Sequence, residues 1–391
     1  MLYLFAFFVL LYSWILVDIQ GYRKLKSISV IISTLILILI AGLRYRVGGD
    51  TLHYVDTYSS MPTFATLFDV DLSEGYGPLW YLFCAISKFI GEDFFYLQLL
   101  HAAIINITFV FIFWRKSISP LAALLIYFVI YYFYYNMEIL RESLAVCIFC
   151  YNINNLVSKK YIRYYFYTMI SIGFHYSALI LLFFPFLYKI AQSKYANLFF
   201  IICSTLALFL FFVIVPLYYN VFLDFIPVVG MKLKSYSTLT LNNFLGILFY
   251  LIPFALYSVI YRISKIKDIP AGNVYIMKLF LFFLLLGSIN QGLMRITNYL
   301  IPFAIVYMVN VGYSVFFKFK NLKLQVLFSL SIFMLLFQKI YYYCDDTDNL
   351  SPDSRRYELW YPYESVLNPI RHKDRELIYY NAMYDQQVLR N

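Results

Sequence analysis

Three charged residues within an otherwise apolar stretch are the strongest candidates for chemistry in this sequence. Glu138, Arg141 and Glu142 lie in Tyr134–Ala145, between two longer apolar runs. Spacings of three and four residues predict that they share one face of a helix. An unpaired charge in hydrocarbon is costly, so these side chains must face protein, water or a ligand. We interpret them as part of a functional site; the alternative is an internal salt bridge that caps a helix.

Other chemically capable residues lie in distant parts of the chain. A guanidinium stays charged and offers a planar, two-pronged donor, so several arginines around a pocket suit a phosphate or pyrophosphate. Carboxylates and a histidine beside them suit general acid–base catalysis. The predicted pyrophosphate-binding residues are Arg44, Arg46, Arg141 and Arg295. The predicted catalytic residues are His175, Asp50, Glu142 and Glu138.

The composition places these residues in a membrane protein. Of the 391 residues, 62% are hydrophobic and 13% charged, with a mean hydropathy of +0.71. A soluble domain carries about 25% charged residues. The net charge is +10, and most of the Lys and Arg residues lie in short loops between apolar runs. This distribution is typical of the cytoplasmic loops of a membrane protein, so we expect no nucleic-acid partner. Motifs for metal hydrolysis, ATP hydrolysis and serine-triad chemistry are absent from the sequence, so we expect no cofactor and no metal.

The apolar runs predict an all-α, polytopic membrane bundle with about twelve (12–14) transmembrane helices. We expect one membrane domain, residues 1–343, and a polar C-terminal tail, residues 344–391, on the outer side. A re-entrant or interfacial segment near 77–92 keeps the basic loops on the inner side. The runs 164–173 and 177–188 predict a short hairpin through His175. This topology places Asp50, His175 and Arg295 on the outer face.

Several motifs, in this order, resemble a known family. Leu43–Tyr54, with the sequence LRYRVGGDTLHY, resembles the start of the EpsG family of Wzy-like exopolysaccharide polymerases. Glu138–Ala145 and Gly173–Leu179 resemble the core of that family, and Met294–Tyr299 resembles its late arginine–tyrosine motif. The resemblance covers roughly residues 40–310. Glu138 and Glu142 depart from the pattern, because amides are expected there.

The resemblance implies a membrane-embedded glycosyltransferase. It would join undecaprenyl-pyrophosphate-linked oligosaccharide repeats into an exopolysaccharide, capsule or O-antigen chain at the outer face of the bacterial inner membrane. The expected partners are these lipid-linked oligosaccharides, the bilayer, and flippase and chain-length regulator proteins. His175 is our first candidate for the general base, since nearby arginines would keep its imidazole neutral. Asp50 is the second candidate.

Two other kinds of function fit the same residues. A flippase or transporter for lipid-linked oligosaccharides would use a cationic cavity without making bonds. An O-antigen ligase or an integral-membrane acyltransferase would also act on a membrane-bound substrate. Transport requires a cavity that opens to both faces, whereas the charges here concentrate on one face. We therefore favour the polymerase.

Overall fold

The computed structural model describes residues 1–71, 75–209, 241–264, 269–287, 291–345 and 354–388, and these residues form helices without any strand. The helices, named in chain order, are α1 Leu2–Trp14, α2 Lys26–Gly42, α3 Thr51–Tyr58, α4 Pro78–Ile90, α5 Phe94–Lys116, α6 Pro120–Ile130, α7 Leu140–Val157, α8 Tyr161–Phe174, α9 Phe184–Gln192, α10 Ala196–Phe209, α11 Leu241–Ser264, α12 Ala271–Gly287, α13 Gln291–Asn298, α14 Ile301–Tyr313, α15 Leu322–Cys344 and α16 Lys373–Val388.

Among the described residues, five helical segments are long and apolar enough to cross a membrane. They are Leu2–Ile19, Arg23–Gly42, Phe94–Lys116, Ile301–Phe319 and Leu322–Cys344. A crossing needs roughly 17–25 residues. Further apolar helical stretches of 10–17 described residues lie between them, among them Pro78–Ile90, Leu251–Ile263 and Ala271–Gly287. The helical membrane architecture is confirmed, whereas the number of about twelve crossings stays a prediction.

Helix α4 corresponds to the segment predicted to be re-entrant or interfacial. It has 13 residues and begins with Pro78 at its first turn. At 1.5 Å per residue it spans roughly 20 Å, less than the roughly 30 Å of the hydrocarbon core. Trp80 and Tyr81 on its inner face are buried. Its length is consistent with the prediction, although its position in the membrane stays a prediction.

Helix α7 lies at the centre of the bundle and packs against α5 and α8. The chain before it is fixed by a buried polar network around Asn136. The amide of Asn136 donates to the Tyr127 hydroxyl over 2.8 Å and accepts from the Asn106 amide over 2.8 Å. These bonds satisfy polar groups that would be costly to bury alone.

The helix that was predicted to carry Glu138, Arg141 and Glu142 on one face is interrupted. A π-helical turn, Tyr134–Glu138, ends at Ile139, where φ is −94° and ψ is 50°. Helix α7 begins at the next residue. Because the break rotates the chain, Glu138 lies in a different element from the other two residues, and the prediction of one shared face is wrong.

The described part of the predicted tail folds back onto the loop that follows α2. The backbone N–H groups of Tyr45 and Gly48 donate to the carbonyls of Glu364 and Leu359, both over 2.8 Å. Arg375 is buried and donates to the carbonyls of Glu358, Arg46 and Pro362. The tail therefore forms one side of the region that contains Asp50.

Candidate functional site

A tight loop brings Asp50 to the break between the π-helical turn and α7. Gly48 has a φ of 123°, a conformation available essentially to glycine. A Cβ atom at Gly48 would lie 2.7 Å from the Cβ of Met137. The Thr51 hydroxyl bridges the carbonyls of Val47 and Met137 over 2.8 and 3.1 Å. The glycine thus allows the loop to lie directly against the break.

Asp50 precedes α3 and has an exposed side chain. The surrounding protein nevertheless desolvates its carboxyl group and raises its pKa. The charges of His53, Arg295 and Arg141 act in the opposite direction. The two arginines that affect this carboxyl come from distant parts of the sequence, one at the beginning of α7 and the other in α13. Asp50, Arg141 and Arg295 therefore belong to one site.

Arg141 is held at the beginning of α7 by aromatic contacts. Its guanidinium lies 4.5 Å from the centroid of the Tyr76 ring, within the range of a cation–π interaction. One of its nitrogens is 3.5 Å from the Gly75 carbonyl oxygen. It also bonds the Tyr54 phenol. The Nε atom is buried and has no hydrogen-bond partner among the described residues, so this donor can serve a ligand.

Glu142 is buried beside Arg141 and is fixed by the end of α13. Its Oε1 accepts a hydrogen bond from the Asn298 amide over 3.0 Å. The same amide nitrogen lies 3.2 Å from the Tyr134 hydroxyl. Within the part of the chain that the structure describes, Oε2 of Glu142 has no partner. Glu142 therefore retains one acceptor atom for a substrate hydroxyl or water.

His175 lies at the junction between α8 and the short 3₁₀ helix Tyr176–Phe183, as the predicted hairpin required. Its Nδ1 accepts the backbone N–H of Ser177 over 3.2 Å. The Ser177 hydroxyl lies 2.7 Å from Nδ1 and 2.8 Å from the Tyr299 hydroxyl. Because Nδ1 is an acceptor here, a neutral ring carries its proton on Nε2. This arrangement presents a donor and leaves no free basic nitrogen.

Burial, together with the smaller effects of the charges of Arg141 and Arg295, lowers the pKa of His175 to about 3. The neutral imidazole was predicted, but desolvation is its main cause. A ring with so low a pKa is a weak proton acceptor at neutral pH. The expectation that His175 is the general base therefore does not fit its hydrogen bonds or its environment.

The remaining members of the cluster are Arg295 and Glu138. Arg295, in α13, is exposed, and its charge acts on Asp50 and on His175. Glu138 is half-buried on the other side of the loop, where its Cγ would lie 3.2 Å from a Cβ at Gly49. Burial, followed by the neighbouring Asp50, raises the pKa of Glu138. The structure thus brings Asp50, Glu138, Arg141, Glu142, His175 and Arg295 into one region.

Arg44 and Arg46 have a different environment from the arginines of the cluster. Arg44 is fully buried, and its guanidinium donates to the carbonyls of Val47, over 3.1 Å, and Ala41. Arg46 pairs with Glu376 of the tail over 2.7 Å. A buried guanidinium needs such acceptors, because losing its hydration is costly. The structure does not bring these two predicted residues into the cluster.

Some residues of the cluster received no role from the sequence. The Nε2 of His53 lies 3.4 Å from the hydroxyl of Tyr76, the residue under Arg141. Asn298 and Ser177 orient Glu142 and His175. His53, Ser177 and Asn298 lie inside the motifs quoted above, and this position in the sequence could have identified them as candidate site residues. Among the described residues no three His, Cys, Asp or Glu side chains group as metal ligands do.

Comparison with known proteins agrees with the ordered motifs. The sequence profile of the EpsG family matches residues 27–365, which is most of the chain. No curated protein and no solved structure matches. The matched range contains every residue of the cluster and the part of the tail up to Ser365. The chain therefore belongs to the EpsG family, a family of Wzy-like polysaccharide polymerases.

Proposed function

We propose that this protein joins lipid-pyrophosphate-linked oligosaccharide repeats into a longer polysaccharide at the outer face of the bacterial inner membrane. The observation that carries the proposal is the convergence of Asp50, Arg141 and Arg295 at the Ile139 break. These residues come from three distant parts of the sequence. A carboxylate that feels the charges of two nearby guanidiniums suits an acceptor hydroxyl beside a pyrophosphate.

In the proposed reaction, the oxygen of an acceptor sugar hydroxyl attacks the anomeric carbon of the growing glycan. The bond between that carbon and the pyrophosphate oxygen breaks, and its electron pair leaves with the lipid pyrophosphate. The Asp50 carboxylate takes the proton of the hydroxyl. Its raised pKa makes it a better proton acceptor than an ordinary aspartate while it is ionised. Asp50 therefore replaces His175 as our first candidate for the base.

Arg141 and Arg295 would stabilise the negative charge that develops on the departing pyrophosphate. Donors that are already oriented contribute most to such stabilisation, because they need no rearrangement during the reaction. Tyr76 and Tyr54 hold the Arg141 guanidinium in this way. The Nε2–H of His175 offers one more donor, and Glu142 can accept a hydrogen bond from the sugar. We propose that Arg44 and Arg46 support the loop and do not bind pyrophosphate.

The test supplies purified protein with lipid-linked repeats isolated from cells that lack this chain. Wild type should yield polymers, and Asp50→Asn should be about 10²–10⁴-fold slower, the usual contribution of a general base. Asp69→Asn, which changes an exposed aspartate of the same region, is the matched control. In the deleted cells, single repeats should accumulate on lipid at the outer face. Accumulation at the inner face would instead identify a flippase.

A further inference from the structure

A small cavity adjoins the cluster on the side of Asn298. Its volume is about 180 Å³, and six of its wall residues are Tyr131, Tyr134, Thr297, Asn298, Lys339 and Tyr342. Pockets for drug-sized ligands occupy roughly 300–1,000 Å³. A cavity of the observed size therefore fits one ring and not an oligosaccharide.

The wall of this cavity combines aromatic rings with hydrogen-bonding groups. Lys339 places its ammonium 5.6 Å from the Tyr131 ring centroid and 5.7 Å from that of Tyr342. Asn298 supplies an amide, and its nitrogen also bonds Oε1 of Glu142. A sugar ring has apolar C–H faces and several hydroxyls, so it needs both kinds of contact. Lys339 supplies one positive charge, whereas a pyrophosphate carries several negative charges, so this wall suits a neutral sugar better than a pyrophosphate.

One buried group of the wall lacks a partner and so points to a ligand. Tyr131 is 3% exposed, and its hydroxyl has no hydrogen-bond partner among the described residues. Buried polar groups are normally paired, and leaving one unpaired is costly. A ligand hydroxyl in the cavity would supply the missing partner.

We propose that this cavity binds one sugar ring of the lipid-linked repeat, with Tyr131, Asn298 and Lys339 as its polar contacts. This inference rests on the proposed function for the identity of the sugar. The shared Asn298 side chain links the bound ring to Glu142, which places the ring next to the reacting groups. The cavity would then select which repeat the protein joins.

The probe is the free repeat oligosaccharide, released by mild acid from the lipid-linked material of cells that lack this chain. Its affinity for the full-length protein in nanodiscs is measured by saturation-transfer NMR. Tyr131→Phe should weaken binding about three- to tenfold, the effect of one neutral hydrogen bond. Lys339→Met should weaken it about tenfold or more, because its ammonium is charged. The control is Tyr341→Phe, which changes an exposed tyrosine of α15, the helix that contains Lys339.

Thermal unfolding separates binding from folding. Tyr131→Phe removes an unpaired buried hydroxyl, so its unfolding midpoint should stay equal to that of wild type or rise. An oligosaccharide that fails to bind wild type, or that binds Tyr131→Phe equally well, overturns the sugar site. If binding follows the expected pattern and lipid-linked repeats are still not joined, the proposed polymerase activity fails while the sugar site stands.

Discussion

The arginines near the Ile139 break have two kinds of environment. Arg44 and Arg375 are buried and donate to backbone carbonyls. Nη2 of Arg44 has no partner among the described residues, but the side chain is fully enclosed by protein. Arg141 has a half-buried guanidinium over Tyr76 and a buried donor with no partner in the described structure. Arg141 is partly exposed and can be reached by a substrate, whereas Arg44 is fully enclosed. Arg141 is therefore the arginine for which substitution tests substrate binding most directly.

We predict that Arg141→Lys does not restore function. A lysine keeps the charge but replaces a planar fork by a single ammonium, so it loses a charged hydrogen bond to pyrophosphate. Such a bond contributes roughly 1.5–3 kcal/mol, which corresponds to a loss of about 10–100-fold in polymerisation rate. Polymer length on a gel is the measurement. Arg115→Lys, at an exposed arginine at the end of α5, is the control. Full-length polymer from Arg141→Lys would mean that charge alone suffices.

A second prediction separates His175 from Asp50. The surrounding protein desolvates the Asp50 carboxyl and raises its pKa, so a base at this position loses activity as the pH falls through a value above the usual aspartate pKa of about 3.9. His175, with its pKa lowered to about 3, is neutral throughout this range. His175→Ala should therefore reduce the rate, about tenfold for one lost donor, and leave the acid limb of kcat/KM in place.

The measurement is the dependence of kcat/KM on pH for both variants. Asp50→Asn should abolish the acid limb along with most of the activity. If His175→Ala removes the limb and costs 10²–10⁴-fold, the histidine is the base after all.

The break between the π-helical turn and α7 at Ile139 determines which charged side chains lie on the same helix. The sequence predicted a continuous helix because Tyr134–Ala145 has apolar residues at every turn and contains neither proline nor glycine. The π-helical turn instead depends on buried partners of Asn136 that are contributed by α5 and α6. A pattern within one segment cannot report partners from other helices. The membership of Glu138, Arg141 and Glu142 in the cluster was predictable, whereas the position of Glu138 in a separate element was not.

The loop before α3 gives a prediction about backbone geometry. Gly48→Ala should cost about 1–3 kcal/mol of stability, because φ of 123° is strained for alanine and the Met137 carbonyl oxygen lies 3.0 Å from the new Cβ. Activity should fall with it, since the loop carries Asp50. Thermal unfolding and polymer length are measured together. Gly272→Ala is the matched control, because a Cβ there meets its nearest neighbour at 3.4 Å. An unchanged unfolding midpoint for Gly48→Ala would contradict the loop geometry.

For the whole molecule, hydropathy predicted a helical membrane protein because apolar length is a direct consequence of bilayer thickness. The docked tail was not predicted. Its contacts with the loop are mostly hydrogen bonds to backbone carbonyls, such as those of Arg375, and any sequence supplies carbonyls. Arg46 and Glu376 form a side-chain pair, but one pair separated by 330 positions leaves no local pattern. The outer excursion and the tail were therefore treated as separate.

The predicted topology can be tested on residues that the structure leaves exposed. After Cys344 and Cys203 are replaced by serine, cysteines at Ser60, Tyr176 and Leu367 should all react with an impermeant thiol reagent from the outer face. A cysteine at Lys160 should react only once the membrane is opened. Labelling of Tyr176→Cys and Ser60→Cys from opposite faces would contradict a shared site.

The docked tail also sets an order for biosynthesis. The Tyr3 hydroxyl, in α1, donates to the carbonyl of Trp360 over 3.0 Å. The Tyr363 hydroxyl likewise donates to Ile40 over 3.1 Å. These contacts of α1 and α2 therefore form only after residues more than three hundred positions later in the chain have been translated. A premature stop before residue 354 would leave a membrane-inserted chain in which the Asp50 loop lacks its contacts with Glu364, Leu359 and Arg375.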